Sequence, residues 1–373
     1  MEGPVDRAAT EGGPPITGTT LSTRPVGPVD LLTLGYLAVV SCLVVVFRDR
    51  VDGWLPLLVG FLGYAAAVLA LAVAAGRRPG DARLRALRLF VPLLALPFVY
   101  LAIGRYVLVL HGRFLDDVVL SWERAALGAH PNLVLDRLAS PALTEALMAC
   151  YFSYYAYFLV PPVVFLARGR LDHLERYVLG LLLALYTCYL GFLVVPVLGP
   201  ELVLRDEFAT PHLVGHVVVP VQRFLMAHGD PVGACFPSSH VAATWTAVLA
   251  LRRMTPRRVF RWIVAAAVGL TVAVVYSRYH YVGDAVAGLL LAVACHRCAT
   301  ALHSRIRFVP HSPEGSRTNG FAAPGDRERL VCVVTGASEK CTESDPSNGA
   351  GPASCASAVP AAARPDPRDR RGR

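Results

Sequence analysis

Long apolar runs alternate with short polar connections along most of the chain. Eight runs stand out, at 31–47, 54–75, 89–110, 143–167, 177–198, 238–251, 260–277 and 284–303. A hydrocarbon core of about 30 Å is crossed by about 20 apolar residues as helix, and most of the runs meet that length. The sixth is short and needs Arg252 and Arg253 to reach the interface from its end. Segment 114–139 differs. Leu115, Val119, Trp122 and Ala126 recur at helical spacing, while Asp116, Asp117, Glu123 and Arg124 fill another face. That is the pattern of a helix lying on the membrane surface. The expected fold is all-α: a polytopic membrane helix bundle of about eight transmembrane helices with one interfacial helix.

The flanks read differently. Residues 1–28 are rich in Gly, Pro and Thr and are expected to form a disordered lead-in. They do not resemble a signal peptide, since the apolar run begins only at Leu31 and no small-residue cleavage pattern follows it. Residues 309–373 are rich in Pro, Ala, Ser and charge, and their one apolar patch, 330–334, is too short to span. This region is expected to be a disordered cytoplasmic tail. Between the flanks, 29–87 is expected to hold two accessory transmembrane helices and 88–308 a membrane core.

Composition supports this reading. The chain is 54% apolar and only 17% charged, against about 25% charged in soluble domains. Its formal charge is +9, and essentially all of that excess falls in 31–308, among the apolar runs. A nucleic-acid protein would gather its basic groups on a soluble face or tail, so nucleic acid is not an expected partner. Arg77, Arg78, Arg83, Arg85 and Arg88 follow the second run, Arg168, Arg170 and Arg176 the fourth, and Arg252, Arg253, Arg257, Arg258 and Arg261 the sixth. The positive-inside rule puts these connections in the cytoplasm. Both termini are then cytoplasmic, and the long 199–237 loop and the 278–283 turn lie outside. Nine cysteines, several inside apolar runs, suggest small hydrophobes rather than a disulfide framework. Cys295 and Cys298 form a C-x-x-C, but Arg297 between them does not ligate metal and no His follows, so no metal or haem site is expected.

Two short stretches carry candidate chemistry: Pro237-Ser238-Ser239-His240 and Tyr276-Ser277-Arg278-Tyr279-His280-Tyr281-Val282-Gly283-Asp284. Forty residues separate His240 from His280, one span inward and one span back, which returns both to the same membrane face. Ser238 and Ser239 open a helix, whose free N–H groups and hydroxyls suit an anion; a plain N-cap is the alternative. His280 and Asp284 are four apart, so on a helix they share a face. A carboxylate on one imidazole nitrogen fixes the tautomer and makes the other more basic, which is how a histidine becomes a nucleophile. His240 suits proton transfer to and from the reacting oxygens. Arg278 can meet a phosphate in a bidentate fork or anchor a helix end. A metal held by His280 and Asp284 lacks further obvious ligands. Tyr151, Tyr154, Tyr155 and Tyr157 suggest an aromatic belt or packing surface, Glu145 an interfacial group, and His111, His212, His216 and His228 solvated loop residues.

These motifs resemble the type 2 phosphatidic acid phosphatase superfamily, in which a Pro-Ser-x-His element precedes a His-x-x-x-Asp element. The resemblance covers roughly 88–304. It implies that His280 forms a phosphohistidine, that Asp284 orients it, that His240 is the acid and base, and that no metal or other cofactor is needed. Two departures stand out. The superfamily's Lys-x6-Arg-Pro element is absent, since the one lysine is Lys340, and Ala273 and Val274 stand where a Ser-Arg pair is usual. Tyr276, His280, Tyr281 and Asp284 are more similar to the inositol phosphorylceramide synthase-like branch. Arg205 and Arg223, in the outer loop, are candidates for the missing cations, whereas Glu201 follows Gly199-Pro200 where an Arg would help. The expectation is therefore a plasma-membrane lipid phosphatase or phosphotransferase acting on a lipid phosphate at the extracytoplasmic face. Water as second substrate gives a hydrolase; a polyol or sugar acceptor gives an inositol- or sugar-phosphate head-group transferase. A non-catalytic lipid-binding or transport protein is the rival, although no internal repeat favours it.

Overall fold

Every regular element in the described part of the chain is helical, and seven helices are long and apolar enough to cross a membrane. The computed structural model describes residues 26–229 and 231–307. The expected tails, with patch 330–334, lie outside the described residues except for 26–28, where Pro28 already opens the first helix. The elements are α1 (Pro28–Val46), α2 (Trp54–Arg77), α3 (Ala82–Leu94), α4 (Leu96–Ile103), α5 (Asp116–Leu127), α6 (Pro131–Asp136), α7 (Pro141–Ala167), α8 (Leu171–Val194), α9 (Pro200–Val203), α10 (Val218–Gly229), α11 (Ser239–Leu251), α12 (Arg257–Tyr276) and α13 (Val282–Arg307). The expected all-α membrane bundle is thus the observed one, with α11 as a shorter eighth apolar helix.

Two of the spans differ clearly from the expected bounds. The third span begins at Ala82 rather than 89, because the Asp81 carboxylate accepts the Arg83 and Leu84 N–H groups and starts the helix before the apolar run does. Arg83, Arg85 and Arg88 therefore ride on α3 instead of in a loop. The same span breaks at Ala95, between Pro92 inside α3 and Pro97 at the start of α4. The fifth span starts at Leu171 and stops at Val194, two residues before Pro196.

α8 is the most enclosed of the long helices and lies against α11 and α13, with α1 and α3 on its other side. α11 and α13 meet through small residues. Ala242, Ala243 and Ala247 on α11 are fully buried, as is Ala292 on α13. A Cβ on Gly288 would lie 2.7 Å from the Ser238 carbonyl oxygen, so only glycine allows this approach. Thr246 adds a hydrogen bond to the Ala292 carbonyl at 3.4 Å. In a hydrocarbon setting apolar burial drives little association, and close packing with satisfied polar groups takes its place.

The segment expected to lie on the surface as one helix is two, α5 and α6, parted at Gly128 in a left-handed conformation (φ +72°). Its orientation also reverses part of the expectation. Asp116 and Glu123 are buried beside Val119, while Trp122 is exposed. Asp116 accepts the Leu198 and Gly199 N–H groups at 2.9 and 3.0 Å and the Tyr281 hydroxyl at 3.0 Å. Burial, and then the adjacent Asp116 charge, pushes the Tyr281 hydroxyl well above the ordinary tyrosine value, so it stays a donor. Glu123 accepts the Val282 N–H at 3.0 Å and meets His130 at 3.2 Å. The inward acids satisfy backbone donors of the turns that frame the site.

Arg278 is the turn's tightest point. It is the one non-glycine with positive φ (+68°) among the described residues, a conformation that costs about 1–3 kcal/mol unless surroundings enforce it. They do: its guanidinium pairs with the buried Asp136, donates to the Thr210 carbonyl at 2.8 Å, and stacks on Phe208 at 3.9 Å. Burial works to raise the Asp136 carboxyl, but the Thr210 hydroxyl and the Arg278 guanidinium outweigh it and hold the group below its ordinary value. At the other end of the bundle, Asp30 of α1, fully buried, pairs with Arg88 of α3.

Two outcomes follow. Asp30→Ala leaves the Arg88 charge largely enclosed and unpaired, so it should cost about 3–5 kcal/mol, read as a fall in melting temperature in detergent, and Asp30→Ala with Arg88→Leu should recover most of it. Asp136→Asn should lower the melting temperature at neutral pH. Because the folded carboxyl is held low, its contribution is complete above the ordinary value of about 3.9 and is lost as pH falls through the lowered one. Wild type and variant should therefore converge in melts taken progressively below pH ~4; a gap that stays constant would rule out the ionised pair as its source.

Candidate active site

Ser238 caps α11, its Oγ accepting the Val241 N–H at 3.4 Å, and its own N–H donates to the Asp284 carbonyl at 3.0 Å. The two motifs are thereby joined directly at the facing starts of α11 and α13. Cap and crossing bond use much of the polarity of Ser238, which is fully buried; Ser239 is buried beside it.

His240 and His280 stand edge to face with ring centroids 6.0 Å apart. The structure thus places on one side of the bundle, and next to one another, two imidazoles that are 40 residues apart in the chain. His280 sits in the turn two residues before α13, not on the helix, and Asp284 lies in the helix's first turn. Their side chains still meet, His280 Nδ1 and Asp284 Oδ2 being 3.3 Å apart. The same carboxylate oxygen accepts the Tyr281 N–H at 2.9 Å. A proton on Nδ1 is held toward Asp284, which leaves Nε2 with its lone pair. The backbone of the turn is fixed as well: the His280 N–H donates to the Val274 carbonyl at 3.0 Å. The fully buried Asn132 amide, from α6, donates to the Val275 and His280 carbonyls at 2.7 and 3.1 Å.

The tyrosines of α7 do more than pack. The Tyr151 hydroxyl lies 2.7 Å from His240 Nε2, with Tyr151 only 1% exposed. The Tyr154 ring lies against the same imidazole at a centroid distance of 4.4 Å. A phenol can donate or accept, so Tyr151 can hold either tautomer of His240 and leave Nδ1 as acid in one and base in the other. Nδ1 of His240 is buried and has no hydrogen-bond partner among the described residues. Tyr276, the first residue of the longer motif, ties α12 to α7 through its hydroxyl and Thr144 Oγ1 at 2.7 Å.

The expected phosphate-binding arginines are placed differently from one another. Arg278 is buried and engaged by Asp136, Thr210 and Pro211, so its charge is met inside the protein rather than held open. Arg223 is exposed, donates to the Leu213 carbonyl, and lines a cavity of about 50 Å³ with Ser277, Arg278 and Tyr279. Arg205 is exposed on a 3₁₀ turn at Arg205–Glu207. Glu145 caps α10 by accepting the Val217 and Val218 N–H groups at 2.9 and 2.8 Å. That helix carries Gln222, 1% exposed, whose amide nitrogen and oxygen both lack partners among the described residues while it lines the same cavity. Tyr151, Asn132, Asp136 and Gln222 carry no local sequence signal, since each acts on a partner or cavity wall far along the chain.

Residues 118–298 match the family model described as the PAP2 superfamily. Comparison with curated proteins and with solved structures gives no match. The matched stretch contains both histidine motifs together with α7 and most of α5 and α13, and leaves α1 to α4 outside. The matched stretch is just under half of the chain, and what it shows is a similarity to the PAP2 superfamily, alongside seven helices of membrane-crossing length among the described residues.

Proposed function

We propose that the chain is a membrane-embedded phosphoryl-transfer enzyme acting on a lipid phosphate through a covalent phosphohistidine. The observation that carries this is the paired imidazoles, 6.0 Å apart, one oriented by a buried carboxylate and the other by a buried phenol. His280 Nε2 attacks phosphorus; the N–P bond forms as the bond to the leaving oxygen breaks, and His240 protonates that oxygen. In the second step His240 takes the proton of an incoming hydroxyl, the new O–P bond forms and the N–P bond breaks. Ser239 and the α11 N-terminus that Ser238 caps, with Arg223 and Arg205 from the outer loop, are the groups offered to the phosphate. A metal ion is not needed for these steps.

The site belongs at the extracytoplasmic face of the plasma membrane on this reading. Arginines crowd the opposite ends of α2, α7 and α11, which the positive-inside rule holds in the cytoplasm with both termini. α11 has 13 residues, about 20 Å of helix against a core of about 30 Å. His240 then sits below the outer surface, where a lipid head group reaches it from within the leaflet.

Hydrolysis is the first reading. The second, head-group transfer to a polyol or sugar as in the inositol phosphorylceramide synthase-like branch, is favoured by one observation. The unpartnered Gln222 amide lines a cavity walled by the catalytic turn, where an acceptor hydroxyl would satisfy it.

The test is phosphate release from a lipid phosphate by purified protein in EDTA, run with and without polyols and with products identified by mass. His280→Ala should remove at least ~10³-fold of the activity. Full activity in that variant would end the proposal in favour of a lipid-binding or transport protein. Tyr151→Phe, which removes one hydrogen bond to His240, should lower kcat about tenfold and displace its pH profile while leaving the melting temperature near wild type. An unchanged profile would reduce Tyr151 to packing.

A further inference from the structure

The connection after α1 and the turns after α4, both before the matched region, border with Val232 a half-open cavity of about 340 Å³. That is the size of a small-ligand site, for which about 300 Å³ is the lower bound. Arg50 and Arg105 stand at it, and Tyr106, Val109, Phe114 and Val232 are among the rest of its lining; no carboxylate lines it among the described residues. Each guanidinium is positioned. Arg50 donates to the Val109 carbonyl at 3.3 Å and lies over the Phe47 ring. Arg105 packs on the backbone of Gly53, where a Cβ would come within 2.9 Å of its Nη1. Neither forms an ion pair among the described residues; neighbouring Asp49 is exposed and lies 3.9 Å from Arg48. Two cations at one cavity that no described carboxylate lines repel each other, and a shared anion reverses the sign.

We infer that this pocket binds a phosphate-bearing anion through Arg50 and Arg105, and that the anion is the head group of a membrane phospholipid. Arginine forks match phosphate oxygens in pairs. The apolar lining, with Leu101 and Leu110 exposed in the same region, favours an acyl-linked phosphate over a free one. The site also touches the catalytic loop: Val232 lies six residues before Ser238, and Gly233 is packed against Phe114 and Val107 closely enough to exclude a side chain. A bound lipid would thus brace the approach to Pro237–His240 from the accessory side.

Binding to the purified full chain can be measured by native mass spectrometry and by melting temperature, with phosphatidylglycerol, diacylglycerol and inorganic phosphate as separate probes. Working in the His280→Ala background separates the result from turnover, so it stands whether or not the proposed chemistry does. Phosphatidylglycerol should bind and raise the melting temperature, and diacylglycerol should not. Arg50→Gln with Arg105→Gln should weaken phosphatidylglycerol binding at least tenfold, about 1.4 kcal/mol, and Arg50→Lys with Arg105→Lys, which keeps the charge and loses the fork, should weaken it by a smaller but measurable factor. Should the glutamine pair fail to fold, the lysine pair and the diacylglycerol arm still decide. Inorganic phosphate that protects the wild type as well as the lipid does would overturn the lipid assignment. Equal binding by the glutamine pair, or by diacylglycerol, would overturn the site.

Discussion

The close approach of α11 to α13 is the constraint on which the candidate site depends. It rests on alanines and Gly288 at the contact and on one crossing bond, from the Ser238 N–H to the Asp284 carbonyl. A side chain at Gly288 would press on the Ser238 carbonyl and push the helices apart just where each begins. His240 is two residues beyond Ser238 and His280 four before Asp284, so the distance between the imidazoles is set by this contact rather than by either motif. Close packing of small residues is also what a membrane setting rewards, since lipid tails offer no apolar penalty to escape.

Around that contact the structure places polar groups where each has a stated partner. Asp116 holds the 198–199 backbone and the Tyr281 hydroxyl, Glu123 holds the Val282 N–H, Asn132 holds the turn carbonyls, and Asp136 holds Arg278 in a conformation it would otherwise avoid. A turn built of backbone donors and acceptors cannot sit in a low-dielectric region without such partners. This accounts for the unusual use of α5 and α6. They look like a surface helix in sequence, yet their acids are consumed inside. The two histidines are oriented in the same manner, one by a carboxylate and one by a phenol, so neither ring depends on substrate to take its place.

The positive charge that a phosphate requires is distributed less simply. Arg278, nearest to the motif in sequence, is neutralised by Asp136 and serves the turn. Arg223 lines a cavity beside it, and Arg50 and Arg105 line a separate cavity from connections that precede the matched region. Charge proximity in sequence is a poor guide here, because an arginine beside a buried acid is already spent.

The sequence by itself determined the helical spans, their number and the shared end of His240 and His280. Those follow from local hydrophobic runs and from the length of one crossing and its return, which need no knowledge of neighbours. It also identified Asp284 as the partner of His280, four residues away. Only the tertiary structure decided that Tyr151 meets His240 across 89 residues, that Tyr281 reaches Asp116 across 165, and that Arg278 is closed off by Asp136 across 142. Such pairs leave no periodic trace, and each residue type is equally at home in an aromatic belt, on a wet helix face or at a helix end. The inward turn of α5 was illegible for a related reason. Amphipathic reading assumes that polar faces seek water, and here the polar face seeks the unpaired backbone of a neighbouring turn.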